Sequence, residues 1–94
     1  MLPVTFVFGR PSHAELLTLW QWDEAQFLQH SEGSALRRIG YTRWRRNVAV
    51  ALGNAWRESG DAAIAEALRA ALPHADALVR EHIEWALSQR SAQR

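Results

Sequence analysis

The side chains best suited to chemistry in this sequence are arginines, and they cluster near the middle of the chain. Residues 34–57 hold six arginines and no Asp or Glu, whereas residues 1–33 and 58–94 are both net acidic. Guanidinium groups bind phosphates through paired hydrogen bonds, and aromatic rings among them can stack on bases. The pattern predicts an RNA or DNA contact. The candidate residues for this contact are Arg37, Arg38, Tyr41, Arg43, Arg45 and Arg46.

A second interpretation of the same arginine-rich segment stays open. Trp44 can be a core residue, some of the arginines can pair with acids of neighbouring helices, and the rest can be solvated. The absence of any acid over residues 34–57 favours the nucleic-acid contact without excluding this alternative.

Composition argues against most other chemistries. The chain has no cysteine, which excludes disulfides, thiolate metal sites, iron–sulfur ligation and cysteine nucleophiles. The four histidines show no metal-ligand spacing, and there is no Ser-His-Asp grouping or phosphate-binding glycine loop. We therefore expect no catalytic residue, no metal site and no cofactor in this chain. No apolar run reaches the roughly 18 residues that span a bilayer, and the apolar start does not resemble a signal peptide, so we expect a cytoplasmic protein.

Helices must position the arginines, and local signals predict about five of them within residues 12–90. Pro3, Gly9 and Pro11 bracket a β-branched and aromatic stretch, which predicts an extended arm over residues 1–11. Residues that commonly cap helices precede the expected helices. These caps are Ser12, with Glu15 completing a capping box, and Asp23, Asp61 and Asp76. The clearest helices are expected at 41–56, 62–72 and 77–89, with a turn at 35–40 and a frayed tail at 91–94.

The central helix carries an apolar stripe and is repeated near the end of the chain. The stripe consists of Trp44, Val48, Ala51, Leu52 and Ala55, while Val50 lies on another side, so we expect this helix to be covered on more than one face. The segment 45–52 aligns with the segment 80–87 at an offset of 35 residues. Repeated helical pairs of this length indicate an all-α fold, a short α-solenoid.

Four polar residues are expected to have structural roles. Asn47 and Asn54 lie seven residues apart and so share a helix face, where we expect buried amides that bond a neighbouring loop backbone. His82 lies where Asn47 lies one repeat earlier, which suggests a shared hydrogen bond. Arg80 is spaced to pair with Glu84 at i,i+4.

Two runs of residues resemble a known family. They are RRIGYTRWRRNVAVALGNA at residues 37–55 and VREHIEWAL at residues 79–87. With the segments around them, they resemble the C-terminal region of HEAT-like (PBS-lyase-type) helical repeats in epoxyqueuosine reductase, over about residues 12–89. The resemblance implies HEAT-like repeats over residues 12–90.

The resemblance also implies a function. Epoxyqueuosine reductase is a cobalamin-dependent iron–sulfur enzyme that reduces epoxyqueuosine to queuosine in tRNA, and its helical repeats help to hold the anticodon stem-loop. By this resemblance the chain is a non-catalytic tRNA-recognition module, and its RNA-facing candidates are Arg37, Arg38, Arg43 and Arg46, with Arg45 as a further one. The cobalamin and the two [4Fe–4S] clusters of the family would be held by catalytic domains missing here, in cis or in trans. The expected partners are a tRNA anticodon stem-loop and those domains, with no membrane.

The sequence also departs from the family and leaves other functions open. The cysteine motifs are absent, residues 1–11 match nothing we can place, and Trp56 stands where the family often has a short proline-containing loop. The chain can be a C-terminal fragment or the product of a short reading frame. The main alternative function is a protein–protein scaffold that docks an acidic partner or a separate catalytic subunit. A DNA-binding repeat like those of HEAT-like alkylpurine glycosylases is a third possibility.

Overall fold

The computed structural model describes residues 12–91, and in that range it contains five α-helices and no strand. The all-α prediction is therefore confirmed for these residues. The predicted arm over residues 1–11 and the tail residues 92–94 lie outside the described range. The helices are α1 His13–Trp20, α2 Glu24–His30, α3 Tyr41–Ser59, α4 Ala62–Ala71 and α5 Ala77–Ser91, with short 3-10 helices at Ala35–Ile39 and Leu72–His74.

The predicted helix caps are all confirmed. Ser12 and Glu15 form a reciprocal capping box at the start of α1, because each backbone N–H donates to the other's side chain. Asp23 caps α2 in the same way with Gln26. The carboxylates of Asp61 and Asp76 accept from backbone N–H groups in the first turns of α4 and α5. Capping depends on residues three positions apart, so the sequence alone is enough to predict it.

Several helix ends differ from their predicted positions. Helix α3 continues to Ser59 rather than 56 and ends at Gly60, whose positive φ of 68° suits a helix C-terminus. The predicted turn at 35–40 is mostly a 3-10 helix, and α4 stops at Ala71 before the 3-10 turn that contains Pro73. Helix α5 includes Ser91, which the sequence assigned to a frayed tail.

Helix α3 lies at the centre of the fold and packs most extensively on α5 and next on α1. Trp44, Val48, Leu52 and Ala55 of its predicted stripe are buried, and Ala51 is half-buried. The helix is covered on more than one face, as predicted, because Ala49 and Gly53 are buried too. Val50 does not share this coverage, since it is 36% exposed.

Aromatic packing fixes α2 against the first turns of α3. The ring of Trp22 stacks on Trp44 at 5.3 Å between centroids, and Phe27 contacts the same ring at 5.0 Å. Such pairs add to the free energy of burial and hold the rings in defined orientations. The arginine-rich segment is thereby attached to the core through Trp44. Among residues 12–91, no helix combines the length and apolar character required to cross a bilayer.

Candidate nucleic-acid interface

The six candidate residues lie on the 3-10 helix Ala35–Ile39 and on the first turns of α3. Ser34 starts the 3-10 helix, since its hydroxyl accepts from the Leu36 N–H at 3.0 Å. Gly40 joins the two elements with a φ of 84°, a conformation that favours glycine. The Trp44 side chain is buried in the core, so residues on the opposite side of α3 face solvent.

Four of the candidate arginines remain without a partner inside the described chain. Arg37, Arg38 and Arg43 are exposed, and Arg46 is half-buried with an Nε that has no hydrogen-bond partner. Within residues 12–91, none of these four guanidinium groups forms an ion pair or donates a hydrogen bond. None of these four pairs with a neighbouring acid, but a buried Trp44 and solvated arginines also agree with the second interpretation of this segment.

An open groove of about 350 Å³ lies where the 3-10 helix meets α3, and we call its arginine-lined edge, formed by Arg43 and Arg46, the arginine margin. Arg43 and Arg46 line it, together with Ile39 and Gly40 at the end of the 3-10 helix that carries the other two arginines. Glu24 at the start of α2 also lines this groove, so one carboxylate stands beside the cluster. The arrangement offers several cationic donors to an extended anion such as a phosphate backbone.

Tyr41 is half-buried: it lines the open groove and also packs against the core. Its hydroxyl donates to the backbone carbonyl of Trp22 at 2.9 Å, and its ring contacts Phe27 and Trp44. Burial raises the pKa of Tyr41 above its ordinary value, while the nearby Arg45 cation opposes that rise. The phenol is thus engaged in packing.

Arg45 is likewise engaged within the chain. Its guanidinium carbon lies 3.7 Å from the centroid of the Trp20 ring, and its Nη1 donates to the Trp20 carbonyl. Burial lowers the pKa of Arg45 from its ordinary value. An interface with nucleic acid would therefore rely on the other four arginines.

The predicted roles of the polar residues on α3 are only partly matched. Asn47 is exposed, so the prediction of a buried amide is wrong at this position, because Asn47 lies on the same outward face of α3 as Val50. Asn54 is half-buried. In the described residues neither amide bonds a loop backbone.

On α5 the structure corrects two further predictions. Arg80 donates to the backbone carbonyl of Leu72 at 3.2 Å and makes no ion pair with Glu84 in the described structure. The Leu72 carbonyl follows the last turn of α4 and also accepts from the Ala75 N–H at 3.3 Å, so the Arg80 guanidinium shares this acceptor with the 3-10 turn. His82 Nδ1 lies 3.0 Å from the carbonyl of Leu78 in its own helix, and not in a bond shared with Asn47.

Arg90 has a structural contact that the sequence does not predict. Its Nη1 donates to the carbonyl of Arg57 at 2.9 Å, and its guanidinium lies over Gly60 at the end of α3. No local signal marks this contact, since the two partners lie 33 residues apart.

The residues present do not fit an iron–sulfur cluster, because its ligands are thiolates and the chain has no cysteine. Among the described residues, no group of three His, Asp or Glu side chains is placed to hold a metal ion. The groove beside Arg45 measures about 530 Å³ and is open to solvent.

The chain is similar to several proteins named epoxyqueuosine reductase. It is 58% identical to that of Alicycliphilus denitrificans over 79 residues, which cover 80% of this chain and 22% of the relative. It is 55% identical to the Shewanella oneidensis protein, covering 83% of this chain and 20% of that one. For Escherichia coli the identity is 48%, covering 90% and 22%.

The chain spans about a fifth of the length of the curated relatives it matches. No protein-family model and no solved structure matches it. The alignments with all three relatives nevertheless cover four fifths or more of this chain. The chain is therefore a homologue of one segment of the epoxyqueuosine reductases.

Proposed function

We propose that this chain is the tRNA-recognition segment of an epoxyqueuosine reductase, corresponding to its C-terminal part, and that it serves queuosine modification by holding the anticodon stem-loop. The observation that carries the proposal is the cluster of arginines within residues 37–46 that have no partner among the described residues, two of which line one groove: Arg37, Arg38, Arg43 and Arg46. The names of the relatives supply the tRNA-modification context. Cobalamin and iron–sulfur chemistry would belong to other domains, in cis or in trans, and the expected setting is the cytoplasm.

We also propose that the scaffold consists of HEAT-like pairs, with α1 and α3 in one repeat and α4 and α5 in the next. Arg45 and Arg80 occupy equivalent positions 35 residues apart, and each donates to a carbonyl at the C-terminal end of the first helix of its pair. Val48 and Ile83 are equivalent too, and both are fully buried. The donor and the buried position recur at an offset of 35 residues, while the acceptor carbonyls of Trp20 and Leu72 are equivalent only in lying at the end of the first helix of each pair. This recurrence supports a repeat.

Salt-dependent binding tests the RNA contact. The purified chain should bind a tRNA anticodon stem-loop, with affinity falling as salt rises, because phosphate neutralisation releases counterions. Each of Arg37→Ala, Arg43→Ala and Arg46→Ala should reduce the magnitude of the log–log salt slope by roughly one unit. Arg69→Ala is the matched control, since Arg69 is exposed on α4 and the charge change is the same. Arg90 is unsuitable as a control because it bonds the end of α3.

The same titration addresses the protein-scaffold alternative. If the three alanine variants keep the affinity and salt slope of the parent, the arginine margin does not hold RNA. Docking onto an acidic partner or a separate catalytic subunit then becomes the better account of these arginines.

A further inference from the structure

Trp85 is the most exposed tryptophan of this chain. All five tryptophans fall within the described residues, and Trp20, Trp22 and Trp44 are buried while Trp56 is half-buried. Trp85 is 41% exposed. The indole N–H groups of Trp20 and Trp56 donate to backbone carbonyls, whereas that of Trp85 makes no hydrogen bond within residues 12–91. Covering a large exposed ring with a ligand removes apolar surface from water, which contributes favourable free energy to binding.

The ring of Trp85 is held in position by a close approach of α3 and α5. A Cβ on Gly53 would lie 2.9 Å from Cζ3 of Trp85 and 2.8 Å from Cα of Ala86, so only glycine leaves room there. One edge of the indole thus lies against the backbone of α3. A ring fixed in this way needs little further ordering when a ligand binds.

An open groove of about 380 Å³ lies beside this ring and is lined by Val50, Glu81, His82 and Trp85. Its apolar walls suit a flat aromatic ligand. The Glu81 carboxylate disfavours a phosphate at this spot but can accept from the amino edge of a base. His82 Nδ1 is occupied by the Leu78 carbonyl, which leaves Nε2 for a second polar contact.

The groove continues the arginine margin along one face of α3. Val50 follows Arg46 by four residues and Arg43 by seven, so all three share a face, one and two helical turns apart. The corresponding axial separations are roughly 6 and 10.5 Å. Phosphate donors and an exposed ring on one surface match a nucleotide whose backbone and base are bound separately.

We propose that Trp85 stacks on an unpaired nucleobase of the RNA loop whose backbone phosphates contact Arg43 and Arg46. This inference rests on the proposed function and names the ligand of the neighbouring groove. Unpaired loop bases can leave their stack and lie on an aromatic side chain, whereas bases inside a duplex cannot. Trp85 therefore distinguishes a loop from a stem.

The test compares two RNAs, an anticodon stem-loop and a blunt duplex of the same length, binding to the full chain. Trp85→Leu keeps an apolar side chain but removes the stacking surface, and it should weaken stem-loop binding by about 5-fold to about 150-fold, the range for loss of one base–aromatic stack. Duplex binding should stay unchanged. Trp85→Phe should restore part of the affinity. Leu28→Ala is the matched control, since Leu28 is similarly exposed but lies on α2, away from the groove.

The outcomes distinguish a failure of Trp85 stacking from a failure of RNA binding itself. If Arg43→Ala weakens both RNAs while Trp85→Leu weakens neither, RNA binding stands and stacking by Trp85 is overturned. If the parent binds no RNA, both are overturned. Unchanged RNA affinity together with a dimer that Trp85→Leu abolishes would assign the groove to a second copy of the chain. Thermal melting of each variant establishes that it is folded before binding is compared.

Discussion

At the scale of single residues, three guanidinium groups bind the carboxyl ends of helices. Those ends carry partial negative charge, which favours cations there, and their last carbonyls lack α-helical partners, although that of Leu72 also accepts from the Ala75 N–H. The donors are Arg45 to the carbonyl of Trp20, Arg80 to that of Leu72 and Arg90 to that of Arg57. The arginines of this chain therefore fall into two groups, those that bond helix ends and those that are exposed without a partner among residues 12–91. The sequence does not separate these groups, because each structural contact joins distant helices or follows a turn.

Arg45 should matter for stability in a way that Arg43 does not. Arg45→Met keeps the apolar stem but removes the bond to the Trp20 carbonyl and the contact with its ring. We expect a loss of about 1.5–3 kcal/mol in the free energy of unfolding, the usual range for a hydrogen bond to a charged group. Arg43→Met alters an exposed side chain and should change it by less than about 0.5 kcal/mol. Urea unfolding followed by tryptophan fluorescence measures both, and equal losses would contradict the structural role.

Because the pKa of Tyr41 is raised in the folded chain, we expect the free energy of unfolding to fall at alkaline pH. Burial raises its pKa above 10.0 in the folded chain, so the folded state holds the phenolic proton more tightly than the unfolded state. The resulting stability is fully present below the unfolded pKa and is lost as the pH rises through the folded pKa. Tyr41 is the sole tyrosine, so tyrosinate absorbance follows this one group. We expect its midpoint above 10.0 in the folded chain and a return to the ordinary value in urea.

Tyr41→Phe is the control for that titration. The variant loses the bond to the Trp22 carbonyl and should be less stable at neutral pH by about 1 kcal/mol. It should also lose the part of the alkaline decline that belongs to the phenol. A decline of the same size in Tyr41→Phe would mean that other groups cause it.

At the scale of elements, the contact between α3 and α5 depends on one missing side chain. Gly53→Ala would place a Cβ 2.8 Å from Cα of Ala86, which is backbone and cannot move aside cheaply. Alanine favours a helix over glycine by about 1 kcal/mol, but overpacking costs roughly 1–3 kcal/mol. We expect net destabilisation, measured as a lower midpoint of thermal or urea unfolding.

Asn47→Ala provides the comparison on the same helix. Asn47 is exposed, so alanine meets no neighbour and gains only helix propensity, which is less than about 0.7 kcal/mol. The midpoint should stay the same or rise slightly. A Gly53→Ala variant as stable as Asn47→Ala would show that α3 and α5 can separate without cost.

Helix existence could be predicted from the sequence, while several helix ends and polar contacts could not. Caps such as Ser12 and Asp61 depend on neighbours within three residues, and the buried stripe of α3 follows helical spacing. The last turn of α3 is polar and carries no apolar spacing, so its end at Ser59 was missed. The partner of Arg80 could not be predicted from helical spacing, because its guanidinium bonds the Leu72 carbonyl rather than the Glu84 carboxylate four residues away. For the candidate site, the cluster could be predicted, but not which of its members turn inward.

At the scale of the whole molecule, the groove arginines Arg43 and Arg46 lie on the central helix α3 and the exposed ring of Trp85 lies on its neighbour α5, while residues 34–57 contain no Asp or Glu. This separation leaves one cationic margin and one apolar groove on a scaffold whose core is aliphatic and aromatic. None of these features supplies an electron source or a tight enclosure for a reactive group. The scaffold is suited to binding an extended ligand.

The isolated chain should therefore neither reduce epoxyqueuosine nor retain an iron–sulfur cluster or cobalamin. Cluster assembly requires thiolates, which this chain cannot provide, and its described residues place no three metal-ligating side chains together. The test incubates the purified chain with iron, sulfide and cobalamin, desalts it, and records the visible absorption, then assays a modified tRNA with a reductant. Bound colour or turnover above background would show that catalysis resides here. The expected result is colourless protein that still binds the anticodon stem-loop, because the proposed recognition uses the arginines and cluster assembly requires thiolates that the chain lacks.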